Sequence, residues 1–115
     1  MSTPPRYVYR VREAEVVDAD TLRCVLDLGF DVRLRATVRV RGVYAPEIKT
    51  PEGQAAAARV REAISDATEV VVRTDKITPS QSFARYVADV WLDGVPLADL
   101  YHREWGLPRA GIGGA

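Results

Sequence analysis

Residues 32–42 read Val32-Arg33-Leu34-Arg35-Ala36-Thr37-Val38-Arg39-Val40-Arg41-Gly42. Small or apolar side chains (Val32, Leu34, Ala36, Val38, Val40) alternate with polar ones (Arg33, Arg35, Thr37, Arg39, Arg41). Period two over this length predicts a long strand with one buried and one polar side. Gly42 at its end permits a bulge or a sharp bend, as a strand needs where a sheet curls into a small barrel.

The flanking sequence supplies the other walls. Residues 7–17 alternate loosely through Val8, Val11, Ala14, Val16 and Val17, and residues 21–28 form a second strand pattern. Asp18-Ala19-Asp20 is the tight turn between them, and Gly29-Phe30-Asp31 the next reversal. Downstream, Thr50 is placed to cap a helix with Pro51 at its first position, and Gly53 is tolerated in the first turn. Residues 54–67 then read as helix, rich in alanine, with Val60 and Ile64 on one face and Ala56, Ala57 and Ala63 small enough for close approach to a sheet. Residues 69–74 return to strand, 75–82 form a loop, and 83–92 a last strand reversed at Asp93-Gly94. A short helix over 95–104 carries Leu97, Leu100 and Tyr101 on one side, and 108–115 form a glycine-rich tail. Three strands, a helix, two strands and a helix predict a mainly β fold, a closed antiparallel barrel with flanking helices.

Bulk properties limit what such a chain can be. Its 115 residues support one domain, residues 1–115, with a core over about 7–107. Nothing approaches the run of about 20 apolar residues that a membrane span requires. The N-terminal residues lead into strand alternation rather than the apolar centre of a signal peptide, so a cytoplasmic location is expected. Cys24 is the single cysteine, which excludes an internal disulfide and is read as a buried strand residue. Sixteen basic and sixteen acidic side chains give zero net charge, short of the positive excess of a non-specific nucleic-acid binder. Lys49 and Lys76 are the only lysines; arginine dominates, and its planar fork suits phosphate.

Three local features carry chemistry. Asp18-Ala19-Asp20-Thr21 puts two carboxylates at one bend, as plain turn chemistry or as part of a cation site. Arg39 and Glu47 bracket a glycine-containing turn that can fold a donor and a carboxylate toward one pocket, and Arg85 lies on the last long strand. Each arginine is otherwise a solvated or cross-strand paired charge.

Asp18-Ala19-Asp20-Thr21, followed by Arg39-x-x-Gly42-Val43-x-Ala45-Pro46-Glu47, resembles the staphylococcal-nuclease family, whose pattern is Asp-Gly-Asp-Thr and then Arg-Leu-x-Gly-Ile-Asp-Ala-Pro-Glu. Gly53, the alanine-rich helix, the strand bearing Arg85 and the turn Asp93-Gly94 follow in matching order, so the resemblance spans roughly residues 7–107. It implies a small five-stranded OB-fold barrel and calcium-dependent hydrolysis of DNA or RNA phosphodiesters by water. On that resemblance Asp20 is a metal ligand together with the Ala45 carbonyl, with Asp18 available to complete the shell. Glu47 positions the attacking water, and Arg39 and Arg85 contact the phosphate. Bidentate guanidinium groups would meet the charge that builds on the equatorial oxygens. Tyr86 is a candidate for stacking a base.

The sequence departs from this pattern at Tyr44, where the family places its second metal-binding aspartate. A phenol is neutral at pH 7, and calcium binds more weakly as ligand charge is removed. Weak calcium binding in company with substrate phosphate is therefore expected. Ala19 replaces a glycine, and Ser82-Phe83-Ala84-Arg85 lacks the family's Tyr-Gly-Arg. The competing reading is a nuclease-like, monomeric domain with little or no activity that binds nucleic acid or a protein partner. His102, with no partner ligands nearby in sequence, is read as a packing or solvated residue, and Trp91, Trp105, Tyr86 and Tyr101 as packing aromatics.

Overall fold

The computed structural model describes residues 7–74 and 86–107. The loop over 75–82, the first residues of the last predicted strand (83–85, including Arg85) and the tail over 108–115 lie outside the described residues. Strand β1 is Val8–Asp18, β2 Thr21–Asp27 and β3 Arg33–Val40. Helix α1 (Pro51–Asp66) is followed by β4 (Val70–Arg73) and β5 (Tyr86–Leu92). A two-residue strand β6 (Val95–Pro96) precedes α2, one turn over Leu97–Asp99 that runs on as a π-helical turn, Leu100–Glu104.

The sheet runs β3-β2-β1-β4-β5-β6, and an added β3–β5 pairing closes it into a five-stranded barrel with β6 as an extra strand. The architecture is OB-fold-like: a closed barrel with flanking helices, as the sequence predicts. Closure differs from the antiparallel pattern read from sequence. Val38, Arg39 and Val40 pair in parallel with Tyr86, Val87 and Ala88, so the barrel is mixed. Val95 and Pro96, read as the start of a helix, instead pair with Leu92 and Trp91. The turn between them is held by Asp93, whose carboxylate accepts from the N–H groups of Thr68 and Glu69 at 3.1 and 2.8 Å.

The loose alternation of residues 7–17 has a structural cause. The β1–β2 register shifts between Val11 and Glu13, a β-bulge. Tyr9 and Val11 pack on the core before it, Ala14 and Val16 after it, so the inward side chains change parity at Arg12. The extra residue increases the local twist that a small barrel needs.

The core holds Leu22, Val38, Val40, Val43, Val60 and Tyr101, all nearly inaccessible. Each such side chain contributes about 1.5–3 kcal/mol by leaving water. Helix α1 lays Gly53, Ala56, Ala57 and Val60 against this core, and its small residues allow the close approach read from sequence. The alternation of β3 is buried only over its second half. Val32 and Leu34 are 50% and 45% exposed, whereas Val38 and Val40, which pair with β5, are buried. Trp91 and Trp105 are half-buried, each beneath an arginine: Arg73 lies 5.4 Å from one ring and Arg59 4.1 Å from the other. Cys24 is buried in β2, which pushes its thiol up to about 12 and keeps it protonated.

Candidate functional site

The β1–β2 turn brings Asp18 and Asp20 to one end of the barrel. Asp18 pairs across the turn with Thr21, and Asp18 Oδ1 accepts from the Asp20 N–H at 3.3 Å. Ala19 between them is fully buried and has a negative φ, so its methyl group fits where the resembling family has glycine. The Asp20 carbonyl accepts from Val40 N–H at 2.8 Å, which fixes the turn against the end of β3. Its carboxylate accepts from the Thr21 hydroxyl at 3.2 Å and from the Ala45 N–H at 3.4 Å. Asp20 and Ala45 are thus tied together through the Ala45 N–H.

Burial pushes the Asp20 carboxyl up to about 6, and the hydrogen bond with Asp18 and that residue's charge add to it. The Ala45 N–H and the Thr21 hydroxyl pull in the opposite direction and only partly offset the rise. An acid whose folded pKa is raised weakens the fold as it ionises. Below about pH 4 both states hold the proton; between the ordinary 3.8 and about 6 only the folded state does. Stability should therefore fall as pH rises through that window and level off above it. Urea midpoints from pH 4 to 7 test this: wild type should lose stability relative to Asp20→Asn across the window, and parallel profiles would contradict it.

Behind Asp20 stands the π-helical turn. Tyr101 is fully buried, and burial together with the nearby Asp20 charge pushes its phenol up to about 12. Its ring meets the edge of His102 at 4.7 Å, and His102 in turn faces Tyr44 at 6.2 Å between ring centroids. His102 is half-buried, its ring between those of two tyrosines. Tyr44 itself is 48% exposed, between the buried Val43 and Ala45. Gly42, at φ 83°, turns the chain away from β3, and a Cβ there would come within 3.0 Å of the Ala98 methyl carbon. A glycine at this bend lets the backbone at residue 42 lie close against Ala98 of α2.

A calcium ion asks for about six to eight oxygens. Among the described residues no three His, Cys, Asp or Glu side chains group to hold a metal. Asp18 and Asp20 are bonded to each other's segment, the Ala45 N–H points at Asp20, and Tyr44 leans toward His102. As arranged, this donor set is short of a calcium shell. No family model matches the chain. No curated protein shows significant similarity to it either.

Arg39 stands beside this turn, in register with Thr21, its side chain exposed. Glu47 is exposed in the segment leading to α1. Its carbonyl accepts from the Thr50 N–H at 3.0 Å and the Thr50 hydroxyl at 2.7 Å, and that hydroxyl accepts from the Gly53 N–H at 3.0 Å. Thr50 is thus the N-cap read from sequence, and it anchors Glu47's backbone as well. Arg85 lies outside the described residues. Tyr86 lines an apolar cavity of about 190 Å³ at the far mouth of the barrel with Tyr7, Tyr9, Leu28 and Leu34.

The three arginines of the polar face of β3 and Arg41 just beyond it have different surroundings. Arg41 reaches Asp89 at 3.4 Å, and Asp89 is also held by Arg73 at 2.8 Å. Arg33, Arg35 and Arg39 enter no ion pair among the described residues. Asp27, the register partner of Arg33, is already bonded by Arg12 at 3.1 Å. A shallow groove of about 390 Å³ runs along this face, with Glu13 and Glu15 on its β1 side and Arg35 and Thr37 on its β3 side. Glu15 is bound by Arg23 at 3.2 Å, while Glu13 enters no ion pair among the described residues, so one carboxylate on the β1 side faces the β3 arginines. Sequence reasoning weighted Arg39 and Arg85 and treated Arg33 and Arg35 as ordinary solvated charges; the absence of partners could be read only in the folded chain.

Proposed function

We propose that this chain is a nuclease-like barrel of the staphylococcal-nuclease type that binds nucleic acid and cleaves it weakly or not at all. The observation that carries the reading is the track of Arg33, Arg35 and Arg39, exposed on one face of one strand with Thr37 between the last two, and without ion-pair partners among the described residues. Alternate strand residues such as Arg33 and Arg35 are about 6.7 Å apart, and Arg35 and Arg39 about twice that, spacings on which phosphates of an extended strand can be met. Zero net charge keeps non-specific attraction small, so binding depends on this local track rather than on a general basic field. Tyr44, in the place of a metal-binding carboxylate, and the short donor set around Asp20 support binding over turnover.

Fluorescence anisotropy with a labelled oligonucleotide, over a range of salt, tests the proposal. Binding should weaken with salt, and each phosphate-contacting arginine removed should lower the slope of log K against log salt by about 0.7 for a single strand. The triple change of Arg33, Arg35 and Arg39 to alanine should therefore remove about two units of slope. Affinity that is unchanged in that variant would overturn the assignment of the track. Cleavage at millimolar calcium that is lost in Glu47→Gln would instead make the chain an active phosphodiesterase.

A further inference from the structure

The β2–β3 hairpin carries a feature that the arginine track does not explain. Phe30 at its tip is 100% exposed, whereas the next most exposed large apolar residue among the described ones, Val32, is at 50%. The tip is also an unusual piece of backbone: Gly29, Phe30 and Asp31 all have positive φ, at 83°, 53° and 62°. Left-handed conformations suit glycine and are tolerated by aspartate, but for a bulky apolar residue they cost energy. The geometry is nevertheless well held. Asp27 Oδ1 accepts from the Gly29 N–H at 2.9 Å, Leu28 N–H bonds the Val32 carbonyl at 2.9 Å, and Val32 N–H bonds the Gly29 carbonyl at 2.8 Å. Phe30 therefore buries no ring surface in its own fold and stands on a rigid, strained support. Whatever offsets that cost lies outside the described fold.

Charge identifies the occupant. The track of Arg33, Arg35 and Arg39 starts three residues from Phe30, on the strand that leaves the tip. An aromatic platform beside a row of guanidinium groups that enter no salt bridge among the described residues is complementary to a polyanion that also carries flat rings. Single-stranded nucleic acid has both, because its bases are free to stack on an exposed side chain while its phosphates meet arginine. A duplex hides those ring faces, so the same surface favours the single strand. Two carboxylates lie at the hairpin, Asp31 at its tip and Asp27 at its base; Asp27 is neutralised by Arg12, and the three arginines outweigh Asp31.

We propose that Phe30 is a base-stacking platform, and that with the β3 arginines it makes the chain a binder of single-stranded rather than double-stranded nucleic acid. This rests on the nucleic-acid reading above. Phe30 touches base rings, while the arginines hold the backbone, so the two contributions separate by experiment.

The measurement is anisotropy at fixed low salt with a labelled 12-nucleotide oligothymidylate and, as control, an abasic strand of the same length. Wild type should prefer the oligothymidylate. Phe30→Ala and Phe30→Leu should lower that affinity by roughly tenfold and leave the abasic strand unchanged, while Phe30→Trp should keep the preference. With Phe30 fully exposed, all three variants should fold, which circular dichroism checks. A preference that survives Phe30→Ala would overturn the stacking role while leaving the arginine track intact. A dimer that dissociates in Phe30→Ala, with base preference unchanged, would assign the ring to a second copy of the chain and likewise overturn it. Failure of wild type to bind either strand would remove the nucleic-acid reading and this inference together.

Discussion

Replacing Gly53 with alanine should destabilise the fold by at least about 3 kcal/mol, the upper range for forcing an atom into packed surroundings. Gly53 lies in the first turn of α1 and is buried. A Cβ built there would overlap the carbonyl oxygen of Glu47 and lie 2.9 Å from the Pro46 carbonyl. These obstacles are backbone atoms, which cannot rotate away as a side-chain end could. Relief requires the 46–47 segment or the start of α1 to move, and either movement breaks the bonds by which Thr50 joins Glu47 to the helix. For a domain of this size the melting temperature should drop by roughly 10–20 °C. Thermal melts followed by circular dichroism read this directly. Melting within a degree or two of wild type would show that the segment moves freely, and that Glu47 is not fixed in place by the helix.

The second large effect is a gain. Tyr44→Asp should confer calcium-dependent stabilisation that wild type lacks. The new carboxylate would lie one residue from Ala45, whose N–H already binds Asp20, and on the side of His102 and Tyr101, the latter close enough to feel the Asp20 charge. Three acidic groups at one bend repel when empty and attract a divalent ion, whose affinity rises with ligand charge. Without calcium the variant should be less stable than wild type, because Asp20 already ionises with difficulty. With 10 mM calcium, a site with Kd of about 10⁻⁴–10⁻³ M adds roughly 1.4–2.7 kcal/mol, or about 5–15 °C in melting temperature. Magnesium is the control, since its shorter bonds demand a tighter octahedron. Equal melting of the variant with and without calcium would show that residue 44 does not face the Asp18–Asp20 turn.

Much of the architecture is legible in the sequence because period two and the cap Thr50-Pro51 are local signals. The alternation of residues 32–40, the acidic turn and the alanine-rich helix all appear where their patterns place them. What the sequence does not show are consequences of distant contacts. The exposure of Val32 and Leu34, on the same alternation as the buried Val38 and Val40, is not reported by any period. Gly53 reads as merely tolerated in a helix turn, because only the folded chain brings the Glu47 carbonyl against it. Val95 and Pro96 fit a helix start locally, but pairing with Trp91 and Leu92 outweighs that preference. Of the candidate site, the joining of Asp20 to Ala45 and the nearness of Arg39 follow the motif order. Phe30 was legible only as a turn residue, since exposure and left-handed φ are properties of the folded hairpin.

The parallel closure of the barrel bears on how the chain assembles. β1, β2 and β3 form a meander of consecutive antiparallel strands, whereas β3 meets β5 in parallel, through three pairs among the described residues, with α1 and β4 intervening in the chain. Closing so long a loop costs entropy before any contact repays it, so the seam is disfavoured until the meander and helix already hold its edges in place. Arg39 lies on that seam, opposite Val87. The backbone that carries the track's last arginine is therefore locked on both edges only when the barrel shuts, and a chain stalled before closure would present Arg33 and Arg35 on a formed hairpin while Arg39 still sat on a free edge.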